Sequence, residues 1–241
     1  MERNYPVGSR FTANTLKIIA IMAMLIDHIA WRFVPTATPL GIIMHIIGRL
    51  TMPIMCFFIA EGFFHTRNKR KYAIRLLLFA IISQIPFAYQ QSGHILPQYH
   101  NLFDAIESIN VIFTLFLGLI ALWVCKSNLH KAKKVLLVIG CCVLAMACDW
   151  ALFGVLYVLA FGLNRANFKR QAAWFSAVTV FMVTGSAIMS TEQLFQVGVL
   201  LSLPLLYLYN GKRGGYAWSK WAFYVFYPLH LLILGLIKFG L

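Results

Sequence analysis

The stretch Leu16–Val34, "LKIIAIMAMLIDHIAWRFV", has the length and apolar content of a helix crossing a bilayer, yet it holds Asp27 and His28 side by side. A crossing takes about 20 apolar residues. An ionisable group in hydrocarbon costs on the order of several kcal/mol unless it meets a partner or a wet cavity. The fold and the chemistry of this chain both turn on what surrounds that pair.

The rest of the sequence repeats the apolar pattern. Hydrophobic residues make up 61% of 241 and charged residues only 12%, about half the share usual in a soluble domain. The mean hydropathy is +0.76. These values point to an all-α, polytopic membrane helix bundle, read as a single domain over residues 1–241. The net charge of +14 does not indicate a nucleic-acid binder, because the charges fall in short clusters between apolar runs, as in cytoplasmic membrane loops.

Apolar runs of spanning character are Leu16–Val34, Leu40–Phe64, Tyr72–Ala88, Ile109–Cys125, Val135–Cys148, Trp150–Leu163, Ala172–Met189, Leu194–Tyr209 and Trp221–Lys238, which predicts about nine transmembrane helices. With the N-terminus inside, 18 of the 21 basic residues fall in inner segments. Merging 135–148 with 150–163 would put Arg165, Lys169 and Arg170 outside, against the positive-inside rule. The first run ends in Asp-His-Ile-Ala-Trp-Arg rather than a small-residue cleavage site, so it is read as retained. The expected setting is a membrane, with the basic loops on its cytoplasmic side.

Polar residues inside the runs form four groups. Asp27 and His28 are the first. His45 and Arg49 are four apart on one helix face of the next run, which places Arg49 at nearly the depth of Asp27 and predicts an Asp27–Arg49 pair. Glu61 and His65 are also four apart, and His230 lies mid-way along the last run. Neighbouring helical residues diverge by about 100°, so Asp27 and His28 cannot both face Arg49. An imidazole beside an acid and a base suits proton transfer near neutral pH.

The outer connection Tyr89–Ser108 carries His94, His100, Asp104 and Glu107, too few well-spaced ligands for a metal, and none is predicted. The cysteines, Cys56, Cys125, Cys141, Cys142 and Cys148, show no paired spacing and read as small buried hydrophobes. Pro53, Pro86, Pro204 and Pro228 interrupt apolar segments. The basic, glycine-rich "YNGKRGG" and the basic "HTRNKRKYAIR" have the composition of phosphate-binding loops, although the positive-inside rule also accounts for their charge.

Together, "LKIIAIMAMLIDH", "GRLTMPIMCFFIAEGFFHTRNKRKY", "LLLFAIISQIPF", "NVIFTL" and "YNGKRGG…KWAFYVFYPLHLLIL" resemble the TraX family over nearly the whole chain. Name-giving members are conjugation-associated membrane proteins that N-acetylate pilin. The resemblance implies a multi-span fold and acetyl transfer from acetyl-CoA to an amine or hydroxyl. It singles out Asp27, His28, Arg49, Pro53, Glu61, Gly62, Thr66, Tyr72, Asn110, Thr114, Asn210, Gly211, Tyr227, Pro228 and His230. Around Asp149, where an Asp-Tyr-Gly-like turn is expected, the chain reads "DWALFG".

The resulting expectation places Asp27, His28, His45, Arg49, Glu61 and His230 in the catalytic set, with His28 as general base and Asp27 or His45 orienting it. Arg67, Lys69, Arg70, Asn210, Lys212 and Arg213 would hold acetyl-CoA. The acceptor would be a protein or glycan of the envelope, with membrane lipids around the bundle. The alternatives are a proton- or solute-coupled transporter and a noncatalytic pilus or conjugation assembly factor.

Overall fold

Each apolar run of the sequence becomes helix in the computed structural model, which describes residues 9–94, 108–189, 191–215 and 219–240. His100, Asp104 and Glu107 lie outside the described residues. Contacts divide the chain into two compact units, Met1–Phe58 with Asn164–Phe223 and Ile59–Leu163 with Tyr224–Leu241.

The first unit contains α1 (Ala13–Phe33), α2 (Pro39–Gly48), the start of α3 (Thr51–His65), α8 (Phe168–Met189), a 3-10 helix (Thr191–Leu201) and α9 (Ser202–Tyr207). It also takes the first residues of α10 (Ser219–Phe239). A helix leaves its first four N–H groups without intrahelical partners, and α1 has all of them satisfied. Ala13 and Asn14 donate to the carbonyls of Lys212 and Arg213, and Leu16 to that of Thr12. Thr15 donates to the Thr12 hydroxyl at 3.2 Å. The loop approaches this closely because Gly214 (φ +62) and Gly215 (φ +64) have no Cβ to meet Thr12 and Asn14.

Thr38 caps α2, bonding Gly41 N at 3.1 Å, with Pro39 preset for the first helical turn. The run Pro39–His65 is then interrupted at Arg49–Leu50 before α3 begins at Thr51. Pro53 does not cause the break: it is the third residue of α3, where its missing N–H has no intrahelical acceptor to leave empty. The α4 and α10 helices continue through Pro86 and Pro228, and Pro204 falls where the 3-10 helix gives way to α9.

The second unit contains the rest of α3, α4 (Lys69–Ser92), α5 (Val111–Cys125), α6 (Lys131–Ala145), α7 (Ala151–Leu163) and most of α10. α5 packs against α4, α6 and α7. Without a hydrophobic force between helices in lipid, close packing relies on small residues. Gly118 lets Val158 approach, and Gly162 does the same for Leu122. α6 and α7 are separate helices joined at 146–150.

Ile109 N donates to the Ala147 carbonyl and Asp149 N to the Ile109 carbonyl at 2.7 Å, pinning this turn. Trp150 (φ 68) and Ala151 (φ 41) are left-handed there, so the chain keeps a glycine-like backbone where it carries tryptophan and alanine.

Five described helices are long and apolar enough to cross a bilayer: Ala13–Phe33, Pro39–His65, Lys69–Ser92, Phe168–Ile188 and Trp221–Phe239. This compares with about nine read from hydropathy. Val111–Cys125, Ala151–Leu163 and Gln193–Tyr207 are apolar but shorter. The broad lipid-facing surface, with Leu78 and Ile82 on α4 and Phe181 on α8 exposed, fits an all-α membrane bundle.

Two stability predictions follow from backbone packing. A Cβ on Gly198 would lie 2.6 Å from the Ile46 carbonyl oxygen, whereas Gly140 has nothing within 4 Å. Gly198→Ala therefore lowers stability in detergent by about 1–3 kcal/mol, and Gly140→Ala leaves thermal unfolding unchanged or raises its midpoint. Relief of the left-handed strain makes Ala151→Gly stabilising by about 1 kcal/mol, read in the same unfolding assay.

Candidate functional site

Asp27 on α1, His45 near the end of α2 and Arg49 at the break after α2 come together in the first unit. Arg49 Nη2 donates to Asp27 Oδ2 at 2.5 Å, and His45 Nδ1 bonds Asp27 Oδ1 at 2.9 Å. All three are buried, and His45 has 0% exposure. The Asp27–Arg49 pair expected from matched depth is present. Gly48 makes it possible, because a Cβ there would overlap the Asp27 side chain.

A carboxylate only accepts hydrogen bonds, so His45 Nδ1 must carry the proton it shares with Asp27. In neutral imidazole the lone pair then sits on Nε2. That atom is buried and has no hydrogen-bond partner among the described residues. The ring is held between Trp31 at 4.4 Å and Phe195 at 4.9 Å between centroids. Such an arrangement can accept a proton at Nε2 while Asp27 fixes the tautomer and balances the imidazolium that forms.

The 3-10 helix supplies the side of the cluster that the sequence reading missed. Arg49 Nη1 donates to Gln196 Oε1 at 3.3 Å, Gln196 Nε2 lies 3.4 Å from Gln193 Oε1, and the guanidinium stands 5.3 Å over the Phe195 ring. Gln193 and Gln196, three apart at the start of the run Leu194–Tyr209, were the available signal: residues three apart eclipse in a 3-10 helix.

The other predicted residues are distributed elsewhere. His28 is half-buried on α1, and the imidazole that meets Asp27 is that of His45. In the second unit, buried Glu61 has Oε2 3.3 Å from Nε2 of the exposed His65. His230 Nδ1 bonds the Phe226 carbonyl at 2.8 Å one turn back, and the ring stacks on Phe226 at 4.8 Å. That geometry ties His230 into its own helix. Arg67 and Arg70 are exposed at the α3–α4 turn, and Lys69 Nζ stands 4.2 Å over Phe63.

In the first unit, Lys212 N donates to Asn210 Oδ1 at 2.9 Å, while the Lys212 and Arg213 carbonyls cap α1. The backbone of this loop is thus committed to α1, and the Lys212 and Arg213 side chains are exposed. Among the described residues no three His, Cys, Asp or Glu side chains gather to hold a metal. The five cysteines are thiols, not disulfides.

Comparison with known proteins places this geometry in a family. The family model described as TraX protein matches residues 12–238. The "Probable fimbrial assembly protein FimC, serogroup H1" of Dichelobacter nodosus is 34% identical over 244 residues, 93% of this chain and 94% of that protein. An uncharacterized protein of Rickettsia prowazekii (strain Madrid E) is 33% identical over 103 residues, 43% of this chain and 33% of its own length. No solved structure matches. A match that runs through nearly all the helices, including those that carry Asp27, His45 and Arg49, means that this chain belongs to the TraX family.

Proposed function

We propose that the protein is an integral membrane acetyltransferase of the bacterial cytoplasmic membrane. It moves acetyl from acetyl-CoA to an amine or hydroxyl on a pilus component or another envelope molecule. TraX membership and the likeness to a protein named for fimbrial assembly support the pilus setting. The observation that carries the chemistry is His45, held at Nδ1 by Asp27 with Nε2 unpartnered among the described residues.

His45, rather than His28, is then the general base. Its Nε2 takes the proton of the acceptor as the acceptor nitrogen or oxygen attacks the thioester carbonyl. The carbon–sulfur bond breaks, and the CoA thiolate leaves with the proton returned from His45. Asp27 stabilises the imidazolium between these steps, and Arg49 and Gln196 hold Asp27 in place. The Lys212 and Arg213 side chains, in the same unit as the base, suit the phosphates of the donor. A discontinuous helix with ionisable groups at its break also suits a proton-coupled carrier, and a transfer assay separates the two readings.

Membranes that hold the protein and the host's own acceptors should transfer radiolabel from acetyl-CoA. His45→Ala at equal abundance should reduce transfer by about 10²- to 10⁴-fold, and His28→Ala by much less. Wild-type membranes that neither bind CoA nor transfer label would reject the enzyme and favour transport. Retained transfer in His45→Ala would remove His45 from the mechanism.

Stability separates a catalytic from a purely structural Asp27. Arg49→Leu leaves a buried carboxylate without its guanidinium and should cost about 3–5 kcal/mol, whereas Asp27→Leu with Arg49→Leu should recover most of that loss. The double variant should nonetheless be inactive, since His45 has lost its anchor. Acetyl transfer by the folded double variant would make the ion pair a structural bridge alone.

A further inference from the structure

A second feature lies in the other unit and is independent of the acetyl-transfer reading. The end of α5 and the turn into α6 form an open groove of about 300 Å³ lined by Ile120, Trp123, Val124, Ser127 and Leu129. Its one hydroxyl, Ser127 Oγ, bonds the Val124 carbonyl at 2.7 Å, so the groove offers apolar surface. Along the adjoining α6, Leu136 and Ile139 are exposed, and Gly140 faces open space.

Cations frame the groove. Lys126 and Lys131 bracket the turn that lines it, and both are exposed, as is Lys133 in the first turn of α6. Lys126 Nζ stands 5.9 Å over the Phe64 ring, which brings the α3–α4 turn, with exposed Arg67 and Arg70, to the same end of the unit. Two acidic residues are described in this unit. Glu61 is buried beside His65. Asp149 follows the far end of α6, roughly 22 Å from Lys131 at 1.5 Å per residue.

We propose that this groove and its basic rim form a binding site for an anionic phospholipid, with an acyl chain along Trp123 and Leu129 and the headgroup phosphate at Lys126 and Lys131. Charge complementarity selects the anionic headgroup, and the apolar lining selects the chain. Acetyl-CoA fits the rim but not the groove, which gives its ribose and amides nothing to hydrogen-bond. Each lysine near a membrane surface contributes about fivefold in binding to anionic lipid.

The test uses the full chain in phosphatidylcholine vesicles containing an equal mole fraction of either acyl-brominated phosphatidylglycerol or acyl-brominated phosphatidylcholine. Bromine quenches nearby tryptophan, and Trp123 is isolated as the difference between wild type and Trp123→Phe. The expected result is a preference at Trp123 for phosphatidylglycerol on the order of tenfold. It should be lost in Lys126→Gln/Lys131→Gln, retained in Lys126→Arg/Lys131→Arg, and unaffected by added acetyl-CoA. Equal quenching by the two lipids, an undiminished preference in the glutamine variant, or relief of quenching by acetyl-CoA would overturn the proposal.

Discussion

The Asp27 carboxylate is the constraint around which the first unit is arranged. A lone charge in a low-dielectric interior is prohibitive, and a paired one is tolerated only when the remaining polar positions are also met. Both oxygens of Asp27 are occupied, Oδ2 by Arg49 and Oδ1 by His45. Those two bonds demand that α1 and α2 approach closely, which Gly48 permits. Arg49 sits at the C-cap of α2, still helical in its backbone with its N–H on the His45 carbonyl, and from there its guanidinium reaches both Asp27 and Gln196. The turn between α2 and α3 therefore directly adjoins the ion pair. Irregular backbone at membrane depth is tolerated where protein surrounds it, and here Phe195 covers the guanidinium.

The same requirement accounts for the 3-10 helix. Runs of this type are usually three or four residues long, yet this one spans Thr191–Leu201. Its threefold repeat places Phe195 and Gly198 in one row against α2, where Phe195 stacks on His45 and Gly198 meets the Ile46 carbonyl. The neighbouring row holds Gln196, which accepts from Arg49, and Gln193, whose amide oxygen accepts from Gln196. An α-helix would rotate these residues by 300° every three positions and carry one row away from the cluster. At about 2.0 Å per residue, the 3-10 helix also reaches farther than an α-helix of equal length.

The helical class, the positions of the apolar segments and the Asp27–Arg49 pair were legible because they depend on composition and on 1.5 Å per residue along a helix. The loop charges likewise separated α6 from α7. What hydropathy could not show was backbone continuity. It read 40–64 as one span, and Pro39–His65 is long and apolar enough to be one, but it gave no sign of the turn at Arg49–Leu50 that divides this span into α2 and α3. It could not show which imidazole meets Asp27 either, because that depends on how α2 is rotated against α1. His45 was legible as a neighbour of Arg49, but its aromatic enclosure by Trp31 and Phe195 joins three distant stretches of sequence.

Several residues singled out by resemblance have packing duties that narrow the proposed chemistry. Asn110 caps α5 through Ile112 N and donates to the Ala80 carbonyl and the Gln84 amide oxygen. Thr114 donates to the Asp149 carbonyl and holds the left-handed turn. Gly62 leaves room for the Tyr72 hydroxyl, while Gly211, with φ +76, shapes the loop that caps α1. These duties account for the residue types without assigning them to an acceptor or a donor. At His45, two aromatic rings immobilise the imidazole and a carboxylate fixes one nitrogen, while its other nitrogen, like the Tyr227 hydroxyl, has no hydrogen-bond partner among the described residues. A purely structural role would leave that buried atom costing stability, on the order of 1–3 kcal/mol. The proposed role of proton acceptor gives that buried atom a use.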